Sequence, residues 1–99
     1  MEVVATINLD EYIWDTPSDI DKDIAKRLKN IRRRRKITQK GLAERCGVSY
    51  ASLKKFEQTG EISLISLTKM AMELGFADDL RSLFTRPVYL SIEEVINDK

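Results

Sequence analysis

The 99-residue chain contains no histidine. This removes the commonest general base, the commonest metal ligand and every Ser/His or Cys/His nucleophile pair. A single cysteine, Cys46, excludes an internal disulfide framework and falls far short of a zinc site. It reads as a small apolar core residue rather than a nucleophile. No apolar run approaches the roughly 20 residues that span a bilayer. The segment from Met1 to Asp10 carries acids where a secretory leader would carry bases. The expectation is a cytoplasmic protein of one domain, not an enzyme, without cofactor, metal or membrane attachment. Aromatic residues are few at 7%, but apolar residues reach 42% and charged residues 33%, enough for a modest buried core.

What is present is an uneven distribution of charge. The net value of +1 conceals −6 over residues 1–21, +11 over residues 22–55 and −4 over residues 56–99. A basic middle between acidic ends suits a face that binds a polyanion. A solvated helix surface with local ion pairs has the same composition, and charge alone leaves the two readings open.

Periodicity divides the chain into 1–18, 19–85 and 86–99. Val3, Ala5, Ile7 and Leu9 alternate with more polar neighbours, the period of a short strand or arm that needs a partner. Tyr12 and Trp14 in this acidic arm suggest an interface, and Thr16-Pro17-Ser18 reads as a break. A helix is expected to start near Ser18 or Asp19, with Ser18 and Asp21 at capping-box spacing. Ile20, Ile24, Leu28 and Ile31 mark its apolar face. The run Arg32-Arg33-Arg34-Arg35-Lys36 closes it; at about 100° per residue these five charges fan around the axis and cannot share one partner.

The next segments are punctuated by caps. Thr38 precedes a helix over Gln39 to Cys46, Gly47 permits a left-handed residue, and Ser49 precedes a helix over Tyr50 to Gln58 that Gly60 closes. Two helices of this length with a three-residue connection match helix-turn-helix geometry, with Leu53 and Phe56 packing back on Leu42 and Ala43. Neither would persist alone. Ser63 is expected to cap a fourth helix with Leu64, Leu67, Met70, Ala71 and Leu74 inward, and Met70 and Met72 read as packing residues. Asp78 and Asp79 open a fifth segment whose apolar face is Leu80, Leu83 and Phe84. Pro87 stops it, and Ser91-Ile92-Glu93-Glu94 is a capping box for a last helical turn.

Thr38-Gln39, Leu42-Ala43, Gly47-Val48-Ser49, Leu53, Phe56-Glu57 and Gly60, with Leu67 and Ala71 beyond, resemble the five-helix DNA-binding domain of the phage repressor and Cro type, often called the Xre family. The resemblance runs from Ile20 to Phe84. It implies an all-α domain, with the N-terminal strand or arm and the C-terminal tail outside it, binding double-stranded DNA as a homodimer to regulate transcription. Phe56-Glu57-Gln58-Thr59-Gly60, followed by Glu61-Ile62-Ser63-Leu64, is similar to antitoxins of the HipB kind, encoded beside a HipA-type kinase toxin. A stand-alone regulator and a protein–protein adaptor on the same helical scaffold are the alternatives.

Residue by residue, the resemblance places Tyr50, Ala51, Lys54 and Lys55 at base edges. The family often carries glutamine where Tyr50 and Ala51 stand, so adenine reading is not carried over. A tyrosine hydroxyl, an alanine methyl against thymine and a lysine on guanine O6 or N7 are the contacts available. Gln39, at the first turn of its helix, is expected to hold a phosphate with the free backbone N–H groups there. Thr38, Lys40, Ser49, Ser52, Gln58, Thr59 and Arg33 are further phosphate candidates, Thr38 and Ser49 also serving as caps. Arg32 and Glu57 are implied to form an inward ion pair between the first and third helices.

Overall fold

The computed structural model describes residues 15–87, and every regular element among them is a helix. The alternating segment over residues 3–9, the aromatic pair Tyr12 and Trp14, and the capping box at Ser91 lie outside the described residues.

Helix α1 runs Pro17–Arg34. It begins earlier than expected, because Thr16 rather than Ser18 is the N-cap. The Asp19 N–H donates to Thr16 Oγ1 at 3.1 Å and the Thr16 N–H donates to Asp19 Oδ2 at 3.0 Å, a capping box two residues upstream of the Ser18–Asp21 frame. Pro17 does not break the chain. It occupies the first helical position, where its fixed φ fits and its missing N–H has no partner to lose. These bonds hold the Asp19 carboxyl below the usual carboxylate range, chiefly through the Thr16 N–H and then its hydroxyl, with a smaller attraction from Lys22.

Helices α2, Gln39–Cys46, and α3, Tyr50–Thr59, follow across a tight turn. Thr38 accepts the Gly41 N–H at 2.9 Å and Ser49 accepts the Ser52 N–H at 3.0 Å. Gly47 takes the left-handed φ of 76° that lets α2 end and the chain reverse. Helix α3 continues one residue past its expected end, to Thr59. Gly60 then turns the chain at φ 83° where a Cβ would lie 2.8 Å from the α1 backbone at Asp21 and Lys22. Only glycine satisfies both that dihedral and that approach.

Helix α4, Leu64–Glu73, is capped by Ser63, which accepts the Ser66 N–H at 3.2 Å. Gly75 turns the chain into the short α5, Ala77–Arg81, which has no side-chain cap. Helix α1 packs on α3, α2 packs on α3 and α4, and α5 touches α4. Ala25, Leu42, Ala43, Val48, Leu53, Phe56, Met70 and Leu74 form the buried cluster, with Ile24, Leu28, Ile31, Ile37, Cys46 and Leu67 against it.

Three expectations for the C-terminal part fail. Leu64 is 71% exposed: it shares a helical face with Leu67, but beneath it the body opens into a cleft of about 170 Å³ bordered by Asp21, Ile24, Phe56 and Ile62. Met72 faces solvent, because residues two apart on a helix stand some 200° from each other and Met70 takes the inward side. Leu83 and Phe84 form no helical face, since α5 ends at Arg81; Phe84 sits in the left-handed region at φ 64° and is 98% exposed. No described helix is long and apolar enough to cross a membrane.

Candidate nucleic-acid interface

Helix α3 is divided along its length by its own periodicity. Leu53 and Phe56, three residues apart, are fully buried, whereas Tyr50, Ala51, Ser52, Lys54 and Lys55 are exposed on the opposite side. The outward face therefore carries two ammonium groups, a phenol, a hydroxyl and a methyl group. A helix fits the major groove of B-DNA, and its N-terminal residues reach base edges.

The Tyr50 ring is set in positive charge. Lys40 Nζ, from α2, lies 5.5 Å from the ring centroid and Lys54 Nζ lies 6.0 Å from it. Such cation–π contacts hold the ring beside the mouth of the turn and bring the α2 lysine to the α3 surface. A shallow cleft of about 370 Å³, lined by Lys40, Ala43, Glu44, Val48 and Tyr50, runs between the two helices.

Beneath this face lies a charged lock. Arg32 Nε and Nη2 donate to Glu57 Oε2 and Oε1 at 2.7 and 2.9 Å, and Arg32 Nη1 donates to the Ile37 carbonyl at 2.7 Å. Gln39 Nε2 adds a third donor to Glu57, at 2.9 Å to Oε1. The two charged side chains are 9% and 3% exposed. One carboxylate thus joins α1 and α2 to α3, and Arg32 ties in the turn after α1. Its contribution is alignment more than stability, because desolvation offsets most of the attraction. Gln39 is accordingly half-buried, with one amide N–H already given to Glu57 and one left over.

The remaining hydroxyls are partly committed. Thr38 Oγ1 caps α2, and the Ser49 hydroxyl caps α3 while donating to Ser52 Oγ at 2.8 Å. Thr59 donates to the Lys55 carbonyl at 2.8 Å and accepts the Glu61 N–H at 3.1 Å, so its hydroxyl proton is engaged within the chain. Gln58 and Arg33 are exposed.

Two residues of consequence escape sequence reasoning. Arg35, in the basic run, donates to the Leu74 carbonyl at 2.6 Å with its guanidinium 5.8 Å from the Phe76 ring, tying the end of α1 to the α4–α5 turn. Glu61 stands beside the exposed face of α3 with its carboxylate 3.2 Å from Lys55 Nζ. Helical periodicity says nothing about either, since Arg35 lies past the end of α1 and Glu61 lies past Gly60. Among the described residues no group of histidine, cysteine and acidic side chains is arranged to hold a metal.

Exposed lysines on the second helix of a two-helix unit suit a surface for duplex DNA. The family model described as helix-turn-helix matches residues 28–78, from the second half of α1 into the first turn of α5 and just over half of the chain. No curated protein and no solved structure matches. The chain belongs to the helix-turn-helix family, a family of DNA-binding regulators of transcription rather than of enzymes.

Proposed function

We propose that this protein is a sequence-specific transcriptional repressor that binds a two-fold duplex operator as a homodimer. The observation that carries the reading is the outward face of α3, with Tyr50, Ala51, Lys54 and Lys55 exposed over the buried Leu53 and Phe56. One such helix makes too few base contacts for useful discrimination, so two copies on half-sites about 34 Å apart supply it. Lys40, Ser52, Gln58, Arg33 and the spare N–H groups of Thr38, Gln39 and Ser49 at the two helix starts are phosphate contacts that set register. Leu83 and Phe84 offer apolar surface for the second copy.

The test is binding of labelled duplex selected from a random library, measured against salt. Affinity is expected to fall with a log–log slope near −0.9 per phosphate neutralised. Tyr50→Ala is expected to cost affinity on the selected site, about 1–3 kcal/mol, and little on random DNA. Equal loss on both would remove Tyr50 from base reading. Indifference of the native chain to every duplex would leave the adaptor reading in its place.

Within this function we assign the chain the narrower role of an antitoxin that restrains a HipA-type kinase and represses its own operon. The similarity of residues 56–64 to antitoxins of the HipB kind supports it. Co-purification of a kinase from the native host, encoded by the neighbouring gene, is the expected result; a neighbour unrelated to kinases would reduce the role to a stand-alone regulator.

A further inference from the structure

The Lys55–Glu61 pair has no evident structural duty. Its side chains are 63% and 69% exposed. Ion pairs in such settings contribute little to stability. A carboxylate on a DNA-facing surface also repels phosphate and lowers affinity for any duplex. Yet the backbone is arranged to put it there. The Thr59 hydroxyl bridges the Lys55 carbonyl and the Glu61 N–H. Gly60, wedged against α1, fixes the direction in which the chain leaves α3. The pair borders a cleft of about 350 Å³ lined also by Ser52, Ile62, Ser63 and Ser66.

We propose that Lys55 and Glu61 act together as one reader of a G·C base pair, Lys55 donating to guanine O6 and N7 and Glu61 accepting from the cytosine N4 amino group. This rests on the DNA-reading face proposed above. In the major groove guanine shows two acceptors and cytosine one donor, and the alignment is unique to that pair in that orientation. Guanine O6 and cytosine N4 are hydrogen-bonded to each other, about 2.9 Å apart. An ammonium and a carboxylate oxygen 3.2 Å apart match that span and its polarity. The reversed pair, C·G, sets the amino group against the ammonium and O6 against the carboxylate, so both contacts become repulsive. A T·A pair keeps one acceptor under Lys55 but replaces N7 with a methyl group and adds adenine N7 beside Glu61. The negative charge thus trades affinity for all DNA against discrimination between base pairs. Thr59 is a positioning residue for the reader.

The experiment uses the full chain, a duplex selected from a random library, and single-base-pair variants of it, with anisotropy as the readout. The native protein is expected to require G·C at one position of each half-site and to lose at least about ten-fold on inversion to C·G. Glu61→Gln is expected to shrink that ratio below about three-fold while tightening binding to random DNA. The double exchange Lys55→Glu with Glu61→Lys is expected to invert the preference to C·G, and Thr59→Val to weaken the discrimination between G·C and C·G. Both exchanged side chains are exposed, and circular dichroism confirms folding before binding is measured. A selected site whose base preferences are untouched by Glu61→Gln, or a double exchange that does not invert the preference, overturns the paired reader while leaving the DNA-reading face intact. A native chain that selects no duplex overturns that face itself.

Discussion

The two ends of the described fold are held by different means. From Thr16 to Gly60 every helix start is capped by a side-chain hydroxyl, glycine takes the left-handed turns that close α2 and α3, and a buried carboxylate accepts three donors from two other elements. From Gly75 onward α5 has no side-chain cap, ends after five residues, and leaves Leu83 and Phe84 in solvent. The first region is complete within one chain. The second exposes apolar surface of the kind a protein partner covers. The contrast separates what fixes the outward face of α3 from what is left available for other contacts.

Replacing Glu57 by alanine tests the first region most severely. Arg32 would be stranded in a nearly closed setting, and a cost of about 3–5 kcal/mol in thermal or denaturant unfolding is expected. A melting temperature equal to the parent's would show that the lock is not closed in solution. Next in size is a paired comparison of glycines. Gly60→Ala adds a Cβ 2.8 Å from the α1 backbone at a left-handed φ and is expected to cost about 3 kcal/mol; Gly75→Ala, at φ 87° with open space around it, is expected to cost about 1 kcal/mol. Equal losses would mean that the close approach of α1 to the end of α3 relaxes freely.

Thr16→Ala is expected to cost about 1 kcal/mol by removing the α1 cap. The same box gives a pH signature. The Asp19 carboxyl is held below its usual range by Thr16, so its stabilisation is present above the unfolded value, about 3.9, and is lost as pH falls through the lower folded value. Asp19→Asn should remove that part of the acid limb; an acid limb identical to the parent's would show that the box is not formed. The smallest effect on folding is expected from Phe84→Ser, within about 0.5 kcal/mol, because an isolated exposed side chain loses no packing. Sedimentation of the same variant is the informative measurement, with a shift toward monomer if Phe84 joins two copies.

Much of the first region is legible in the residues. Thr38, Gly47, Ser49, Gly60 and Ser63 each act at a fixed offset from a helix end, so local chemistry suffices to place α2, the turn, α3 and the start of α4. At the start of α1 the spacing is right but the frame is not, because Pro17 serves equally as a breaker and as a first helical residue and only the bonds of Thr16 decide between them. Met72, Leu64 and Phe84 depart from their expected burial for another reason. Being apolar at helical spacing says that a side chain suits burial, not that something lies beneath it.

The α3 surface shows the same limit. Its exposed lysines and tyrosine follow from the period of the helix, whereas the donation of Gln39 to Glu57, the tether from Arg35 to Leu74 and the meeting of Lys55 with Glu61 join residues across turns of the chain. By itself the sequence determined α2, α3, the caps that start α2, α3 and α4, and the face of α3 that is apolar, since each depends on bonds and periods spanning a few residues. Only the tertiary structure decided which charges meet, which apolar residues lack cover and which acid stands beside the outward lysine, because those outcomes depend on distances between elements that no local pattern encodes.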